Sequence, residues 1–447
     1  MIFHILKIGG HVRSQKFCVT LICAILVVQS AQAATWAARA IGGTPMEKFK
    51  SVIPTKDGGY LGVGESVYVQ GFSFYFRSWV AKMDANGAVK WHKVISGGFI
   101  DSLNTALETS DGSFVIGGDL GSKAYAAKLS AAGNFLWEWT YPGTNSSAIY
   151  AIRPATGGGY IVAGTLYTTS FDAWCLRLDE AGQIVWQETF GGSKSDYAYA
   201  VQPIKSGGYF VSGDTASFGA GGYDAWVLKL DSSGKVLWQK TLGGSKDDFP
   251  HFSAMAATSD GSCIIAGSTK SFGAGEEDGW IIKLDKAGKI KWQKAVGGKG
   301  DDICYAVRQT SDKGYIVAGE TESFGAGGAD AWTLKLNPSG NVVWQYSHGG
   351  AKTESLRSIL QVADGSYLAG GGTSTYGVGT GNGLILRIAT TGFVCNPLSK
   401  KSTATTVVTS AKAKASAATV TATAVTPVKP SFTNASPTAS NALICSR

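Results

Sequence analysis

One unit of about fifty residues recurs along most of this chain, and it restricts the possible folds more than any other feature. A Trp closing an apolar run returns at Trp91, Trp137, Trp186, Trp238, Trp292 and Trp344, at intervals of 46 to 54 residues. A turn leading into a strand returns seven times: DGGY (57–60), DGSF (111–114), GGGY (157–160), SGGY (206–209), DGSC (260–263), DKGY (312–315) and DGSY (364–367). A third run is headed by Trp79, Tyr125, Trp174, Trp226, Trp280, Trp332 and Leu384. Three residues after each head stands a base: Lys82, Lys128, Arg177, Lys229, Lys283, Lys335 or Arg387. Three independent markers kept in one order define a repeat architecture.

The runs are strands. Each is five to eight residues long, rich in Val, Ile, Tyr and Trp, and bounded by Gly, Asp, Asn and Ser. Apolar and polar residues alternate in Trp332–Leu336, the period of a sheet face. Asp231–Gly234, Asp285–Gly288 and Asn337–Gly340 fit type I turns whose Gly takes the left-handed position. Four antiparallel strands per unit, in seven units, predict an all-β, seven-bladed β-propeller. The last copy has three strands, around 356–361, 366–371 and 384–388, and an orphan Trp strand at 35–41 precedes the first copy. If that strand completes the last blade, the ring closes without an exposed edge.

The ends differ from the body. Arg13 and Lys16 precede the apolar run Phe17–Val28, and Ala31-Gln32-Ala33 is a cleavage signal, so residues 1–33 read as an export signal. The run is too short for a membrane span. The mature chain is expected to be exported (periplasmic, extracellular or on the cell surface), monomeric, and without a transmembrane segment. From 396 to 447 the composition turns to Ala, Thr, Ser and Lys with scattered Pro, too little apolar matter to bury a core, and predicts a disordered tail. Its Thr-Val-Thr-Ala alternation can add a strand to another sheet. The propeller is assigned 34–395.

Charge falls in with this division. The net charge is +8, yet nine bases and no acids lie in 1–33 and 396–447; removing them from the 40 leaves 31 against 32 acids. A body of charge −1 has no basic stripe for nucleic acid. Five cysteines follow the signal. Cys175, Cys263 and Cys304 sit inside strands as buried thiols. Cys395 and Cys445 bracket the tail and are placed to pair in an oxidising compartment, though sequence leaves the pairing open.

The stretch KLDSSGKVLWQK (229–240) resembles the blades of quinoprotein-like β-propellers. The full unit, with GG-x-x-D-D, S-F-G-A-G and D-A-W-x-x-K-L-D, looks like a group of exported bacterial repeat proteins over about 35–392. The resemblance implies the propeller fold and no defined reaction. Quinone-using members hold a vicinal cysteine pair and a calcium-binding carboxylate set; no two cysteines are adjacent here, so no quinone cofactor is expected.

Residues repeated in every unit belong to the frame. The strand-ending Trp residues are expected to pack between blades. Lys229, Lys283, Lys335 and their counterparts are expected to lie on apolar surface, paired with acids such as Asp224, Asp278 or Asp330. The SFGAG loops at 217–221, 271–275 and 323–327 lead into strands rather than helices and do not form phosphate cradles. Calcium at Asp247/Asp248 or Asp301/Asp302 lacks a recognisable ligand spacing, and turn capping is the expected role.

Function is expected where one copy departs from the rest. The departures are Tyr68–Phe76 (with Tyr68, Phe72, Phe74, Tyr75 and Phe76), Tyr167–Phe171, Pro250-His251-Phe252, Glu276-Glu277 and Tyr376. All fall in loops leaving one propeller face, and their aromatic-rich composition suits recognition. The expectation is a non-catalytic binding or scaffold module for a protein or glycan of the cell envelope. The alternatives are a glycan hydrolase or lyase using Glu276, Glu277 and His251, and a purely structural surface protein.

Overall fold

The computed structural model describes residues 36–446 apart from 44–45, 72, 142–145, 250–253, 396–397, 402–404, 409–413, 416–418, 423–433 and 436–439. Seven antiparallel sheets follow in order. The first blade is Met46–Pro54, Tyr60–Gln70, Ser73–Met83 and Val89–Ile95. Blades two to six repeat this order over 102–141, 147–191, 200–242, 248–297 and 302–348. The seventh joins Glu354–Gln361, Tyr367–Thr373 and Asn382–Ile388 to the N-terminal strand Trp36–Gly42, which pairs as Ala38↔Leu386 and Ala40↔Leu384. First strands touch from blade to blade, and that of the seventh touches that of the first, so the ring is closed and they form its inner wall.

Two Trp layers hold the blades together. Trp79, Trp174, Trp226, Trp280 and Trp332 in the third strands are almost fully buried. The fourth-strand series is only half-buried, because each ring covers a turn of the following blade. Trp91 Nε1 donates to Ala131 O at 3.1 Å, Trp137 to Glu180 O at 3.0 Å and Trp344 to Thr390 O at 3.0 Å; Trp186, Trp238 and Trp292 repeat the bond. The turn must be thin beneath the ring. Gly340, at φ 79°, lies so close to Trp292 that a Cβ would stand 2.8 Å from it.

The repeated bases find acids other than those expected. Lys82 bonds Asp57 at 2.8 Å, Lys128 Asp111 at 3.1 Å, Lys283 Asp260 at 3.4 Å and Lys335 Asp312 at 2.9 Å, and Arg387 pairs with Asp364. These acids belong to the turns between first and second strands. Asp224, Asp278 and Asp330 start the third strand five residues before the base, and an extended strand separates the two by roughly 17 Å. Instead they cap the SFGAG loops: Ala220 N donates to Asp224 Oδ2 at 2.8 Å, Ala274 N to Asp278 at 2.9 Å and Ala326 N to Asp330 at 2.9 Å. In blade four the turn is SGGY, and Lys229 turns to Lys286 O at 3.3 Å.

Beyond residue 398 the described backbone forms short strands, each on the outer edge of a blade. Ser399–Lys401 pairs with blade six, Thr405–Val408 with five, Lys414–Ala415 with four and Thr419–Ala422 with three. Asn434–Ala435 then pairs with blade one and Ser440–Ser446 with the N-terminal strand of blade seven. These described strands follow the ring against the order of the blades, each borrowing an edge from a blade. The Thr-Val-Thr-Ala run does add a strand, and adds it to its own chain. Cys395 and Cys445 are joined, with Cα atoms 6.5 Å apart, and so tie the end of this belt to its beginning.

Candidate functional site

The inner wall carries what the repeat does not dictate. A β-bulge recurs in the first strands, and the register skips Lys50, Asn104, Tyr150, Tyr305 and Arg357. Tyr199 holds the same place in the fourth copy, YAYAV against ICYAV in the sixth. A bulge re-aims its side chain out of the sheet's alternation. It also presses the first strand onto the second, where a glycine is required: a Cβ on Gly319 would sit 1.8 Å from Ile303 O. The re-aimed side chains reach the neighbouring first strand. Lys50 Nζ donates to Ser102 Oγ at 2.6 Å and Asn104 Nδ2 to Ile149 O at 2.8 Å. Tyr150 meets Tyr199 edge-on at 5.1 Å, and Arg357 lies 3.5 Å over the Tyr305 ring.

The residue after that glycine differs from blade to blade: Glu65, Asp119, Thr165, Asp214, Ser268, Glu320 and Gly372. The chain's own cations serve two of the four acids. Glu65 meets Lys48 at 2.6 Å and Lys50 at 3.1 Å; burial pushes its carboxyl up, but the two ammonium groups outweigh this and hold it low. Glu320 accepts from Tyr305 Oη at 2.6 Å and lies 3.8 Å from Arg357. Burial lifts Asp119 to about 7, with Lys50 opposing and Asp101 and Glu65 adding to the rise. Asp214 is only 4% exposed, and burial lifts it to about 8, against the Tyr199 hydroxyl and with Asp196 adding. Its Oδ1 has no hydrogen-bond partner among the described residues.

Asp214 opens into a cavity of about 460 Å³ lined also by Tyr197, Tyr199, Tyr223, Phe249, Glu277 and Ile303. Its aromatic walls are continuous. Tyr197 stacks on Tyr199 at 5.7 Å, Tyr223 stands 6.4 Å from Tyr197, and Phe249 5.8 Å from Tyr223. Behind them Tyr167 meets Phe171 at 5.1 Å and Phe171 stacks on Tyr197 at 5.6 Å, so the departure at 167–171 backs this wall.

The other departures separate. In blade one the second and third strands extend into a long hairpin, with Tyr68 42%, Val69 53% and Phe74 60% exposed beside Phe99 (60%) and Ile100 (61%). Tyr75 packs on Phe99 at 4.5 Å, Arg77 lies 5.0 Å over Tyr68, and Phe76 N donates to Phe99 O at 3.1 Å. This is an apolar patch on the face where the cavity opens. Phe72, His251 and Phe252 lie outside the described residues. Glu277 accepts from Ser268 Oγ, with Lys270 at 4.0 Å, and lines the cavity; Glu276 is exposed. Tyr376 is frame: its hydroxyl donates to Gly349 O at 3.2 Å, and it takes the place Phe324 holds one blade earlier.

Asp248 and Asp302 cap turns, accepting from Gly244 N at 2.7 Å and Gly298 N at 2.8 Å. Among the described residues no three His, Cys, Asp or Glu side chains gather to hold a metal ion. No helix among them is long and apolar enough to cross a membrane. The thiols of Cys175, Cys263 and Cys304 are buried, which raises all three, Cys263 to about 12. They are inert.

A family model described as outer membrane protein assembly factor BamB matches residues 172–413, more than half of the chain. The chain belongs to the BamB family. The BamB match runs from within blade three through blade seven into the belt. No curated protein matches the sequence. Solved structures resemble it loosely. Sqt1 from Chaetomium thermophilum is 14% identical, with 82% of this chain and 84% of that one covered and a TM-score of 0.44. A puromycin hydrolase mutant complexed with PGG is 12% identical, covering 76% and 52%, with a TM-score of 0.39. Drosophila Plexin A, in complex with Semaphorin 1b, is 7% identical, covering 78% and 88%, with a TM-score of 0.33.

Proposed function

We propose that this BamB-family chain is an exported, non-catalytic propeller that acts as a rigid binding scaffold for a protein or glycan of the cell envelope. One observation carries the reading: departures from the seven-fold repeat gather on one face as exposed apolar side chains and an aromatic, acidic cavity. Side chains that stabilise the ring recur in every blade; Phe74, Phe99, Ile100, Tyr223 and Phe249 do not. An apolar patch bordered by charge is the composition of a recognition surface. The export signal, the disulfide in the belt and the family's assembly-factor description support an envelope location.

Capture of envelope extract on the immobilised chain tests this. The double substitution Phe74→Ser and Ile100→Ser removes two exposed apolar side chains at little cost in stability, and capture is expected to fall at least tenfold. Undiminished capture would refute the assignment of the partner to this face. Protease and glycosidase treatment of the extract separates a protein partner from a glycan.

A further inference from the structure

We infer that the cavity at blades four to six is a receptor for an organic cation, an alkylammonium or guanidinium group, held between the aromatic faces of Tyr197, Tyr223 and Phe249 and neutralised by Asp214. This rests on the binding-module reading and gives that face a ligand class.

The repeat itself supplies the control. At the position after the second-strand glycine, the acids of blades one and six each have a cation of this chain beside them. Glu65 holds Lys48 and Lys50, and Glu320 holds Arg357, whose guanidinium lies 3.5 Å over the Tyr305 ring. The blade-six arrangement is a cation between an aromatic face and a carboxylate, filled from within. Blade four has the acid and the rings without the base. Where blades one and seven carry Lys50 and Arg357 at the bulge, blade four carries Tyr199, and where blade one has Lys48 it has Tyr197. Asp214 is left with a buried oxygen that no described residue bonds, facing a cavity large enough for a guanidinium and its stem.

The chemistry favours a cation over a neutral guest. Ring faces carry negative potential and attract a cation, most strongly when it is desolvated. Lys270 already stands 5.9 Å over Phe249, so one wall of the cavity holds a cation at its rim. A buried carboxylate with an open lone pair completes the site, since a neutral sugar can hydrogen-bond to it but cannot offset its charge with an ion pair. Asp214 is protonated when the cavity is empty, and a bound cation displaces that proton. Affinity should therefore rise with pH up to about 8. The groups facing Asp214 are Tyr199 and Tyr197 on its own blade, Asp196 at that blade's start, Tyr150 of blade three, and Tyr223 and Glu277 across the cavity.

Calorimetry on the full chain with agmatine, with Nα-acetylarginine amide and with the isosteric Nα-acetylcitrulline amide decides the matter. Both cations should bind saturably and citrulline at least tenfold more weakly. Preference for the acetylated amide over agmatine identifies a polypeptide side chain as the source, and the reverse a free amine. Asp214→Asn, which keeps shape and removes charge, should weaken the cations at least tenfold and abolish the rise in affinity between pH 6 and 8. Tyr223→Leu, on the half-exposed rim, should weaken them three- to tenfold whether or not the first variant folds. Equal binding of citrulline, or undiminished binding by both variants, overturns the inference. A neutral oligosaccharide bound in the cavity while the cations do not bind overturns it too, and leaves the binding-module reading standing; loss of envelope capture by the native chain would remove that reading instead.

Discussion

Replacing Asp214 by Asn should make the protein's stability depend less on pH, in a window fixed by the carboxyl's surroundings. The folded chain holds this group at about 8, against 3.8 for an ordinary aspartate, because burial penalises the charged form more than the Tyr199 hydroxyl relieves it. A carboxyl raised on folding contributes stability that is fully present below about pH 4. That contribution drains away as pH rises through about 8, since the unfolded chain releases the proton first. The interval is about four units at about 1.4 kcal/mol each, which sets a ceiling of about 6 kcal/mol. Water entering the cavity brings the observed figure below that ceiling. The asparagine keeps the shape and has no proton to lose.

Denaturant or thermal unfolding, followed by Trp fluorescence from pH 4 to 9.5, reads the effect as the difference between the two proteins. The variant should gain on the native chain steadily from about pH 5, by at least about 2 kcal/mol at pH 9, and the difference should then level off. Taking the difference removes Asp119, which burial lifts to about 7 and which titrates in both proteins. Parallel curves would refute the reasoning: Asp214 would then be ionised in the fold and satisfied by something other than Tyr199.

Four further perturbations probe the frame. Cys445→Ser opens the 50-residue loop closed by the disulfide and should lower stability by about 4 kcal/mol on the chain-entropy model, with faster hydrogen exchange in Trp36–Gly42; unchanged exchange would mean the belt's end docks without its tie. Gly319→Ala forces a Cβ to within 1.8 Å of Ile303 O and should cost at least about 2 kcal/mol, measured by denaturant midpoint, whereas Ala at the open turn position Gly261 should leave the first-to-second strand contact intact. Trp292→Phe removes the indole bond to Pro338 O and should cost about 1 kcal/mol beyond the lost ring area. Asp57 and Asp312 are brought down to about 2: burial pushes them up, but Lys82 and Lys335 with nearby hydroxyl and backbone donors prevail. Their contribution is present above about pH 4 and lost as pH falls through 2, so Asp57→Asn with Asp312→Asn should flatten the acid limb of the stability curve.

The frame was legible in the sequence because its rules are local. A type I turn needs its Asp and Gly within four residues, and a Trp that roofs that turn recurs with it, so Trp344 and Gly392 carry the same message as Trp91 and Gly133. The partners of Lys283 and Lys335 were misread for a reason the sequence did contain. An acid five residues upstream in an extended strand lies at the strand's far end, while the turn acid twenty-three residues upstream lies beside the base across the sheet. Tyr68–Phe76 stands out in the sequence because its aromatics depart from the other copies, but it reads there as a loop where the structure has a strand hairpin. Of the cavity, Glu277 and the backing Tyr167–Phe171 were legible as departures, but Tyr197, Tyr199 and Asp214 were not, since nothing in the repeat shows that they meet. Strict alternation gives no reason to single out Lys50 and Arg357; the bulge turns each toward a neighbouring blade, and only the strand register reveals it.

The same bulge explains how a symmetric frame carries an asymmetric site. Its cost is local, one glycine in the second strand and one residue skipped by the register in the first, so the identity of the re-aimed side chain is free to vary while the ring stays closed. Blades seven and one use that freedom for Arg357 and Lys50, and blades three, four and six for Tyr150, Tyr199 and Tyr305. At the bulge positions the wall is therefore basic in blades seven and one and aromatic in blades three, four and six. An acid at the basic positions is neutralised from within, as Glu65 is; Asp214, at an aromatic one, has no ion pair among the described residues. Moving a cation there by Tyr197→Lys should test that division directly. The new ammonium should draw Asp214 back below neutral pH, abolish agmatine binding, and leave capture of envelope material at the exposed hairpin unchanged. Agmatine bound as before would show that the cation does not need the carboxylate.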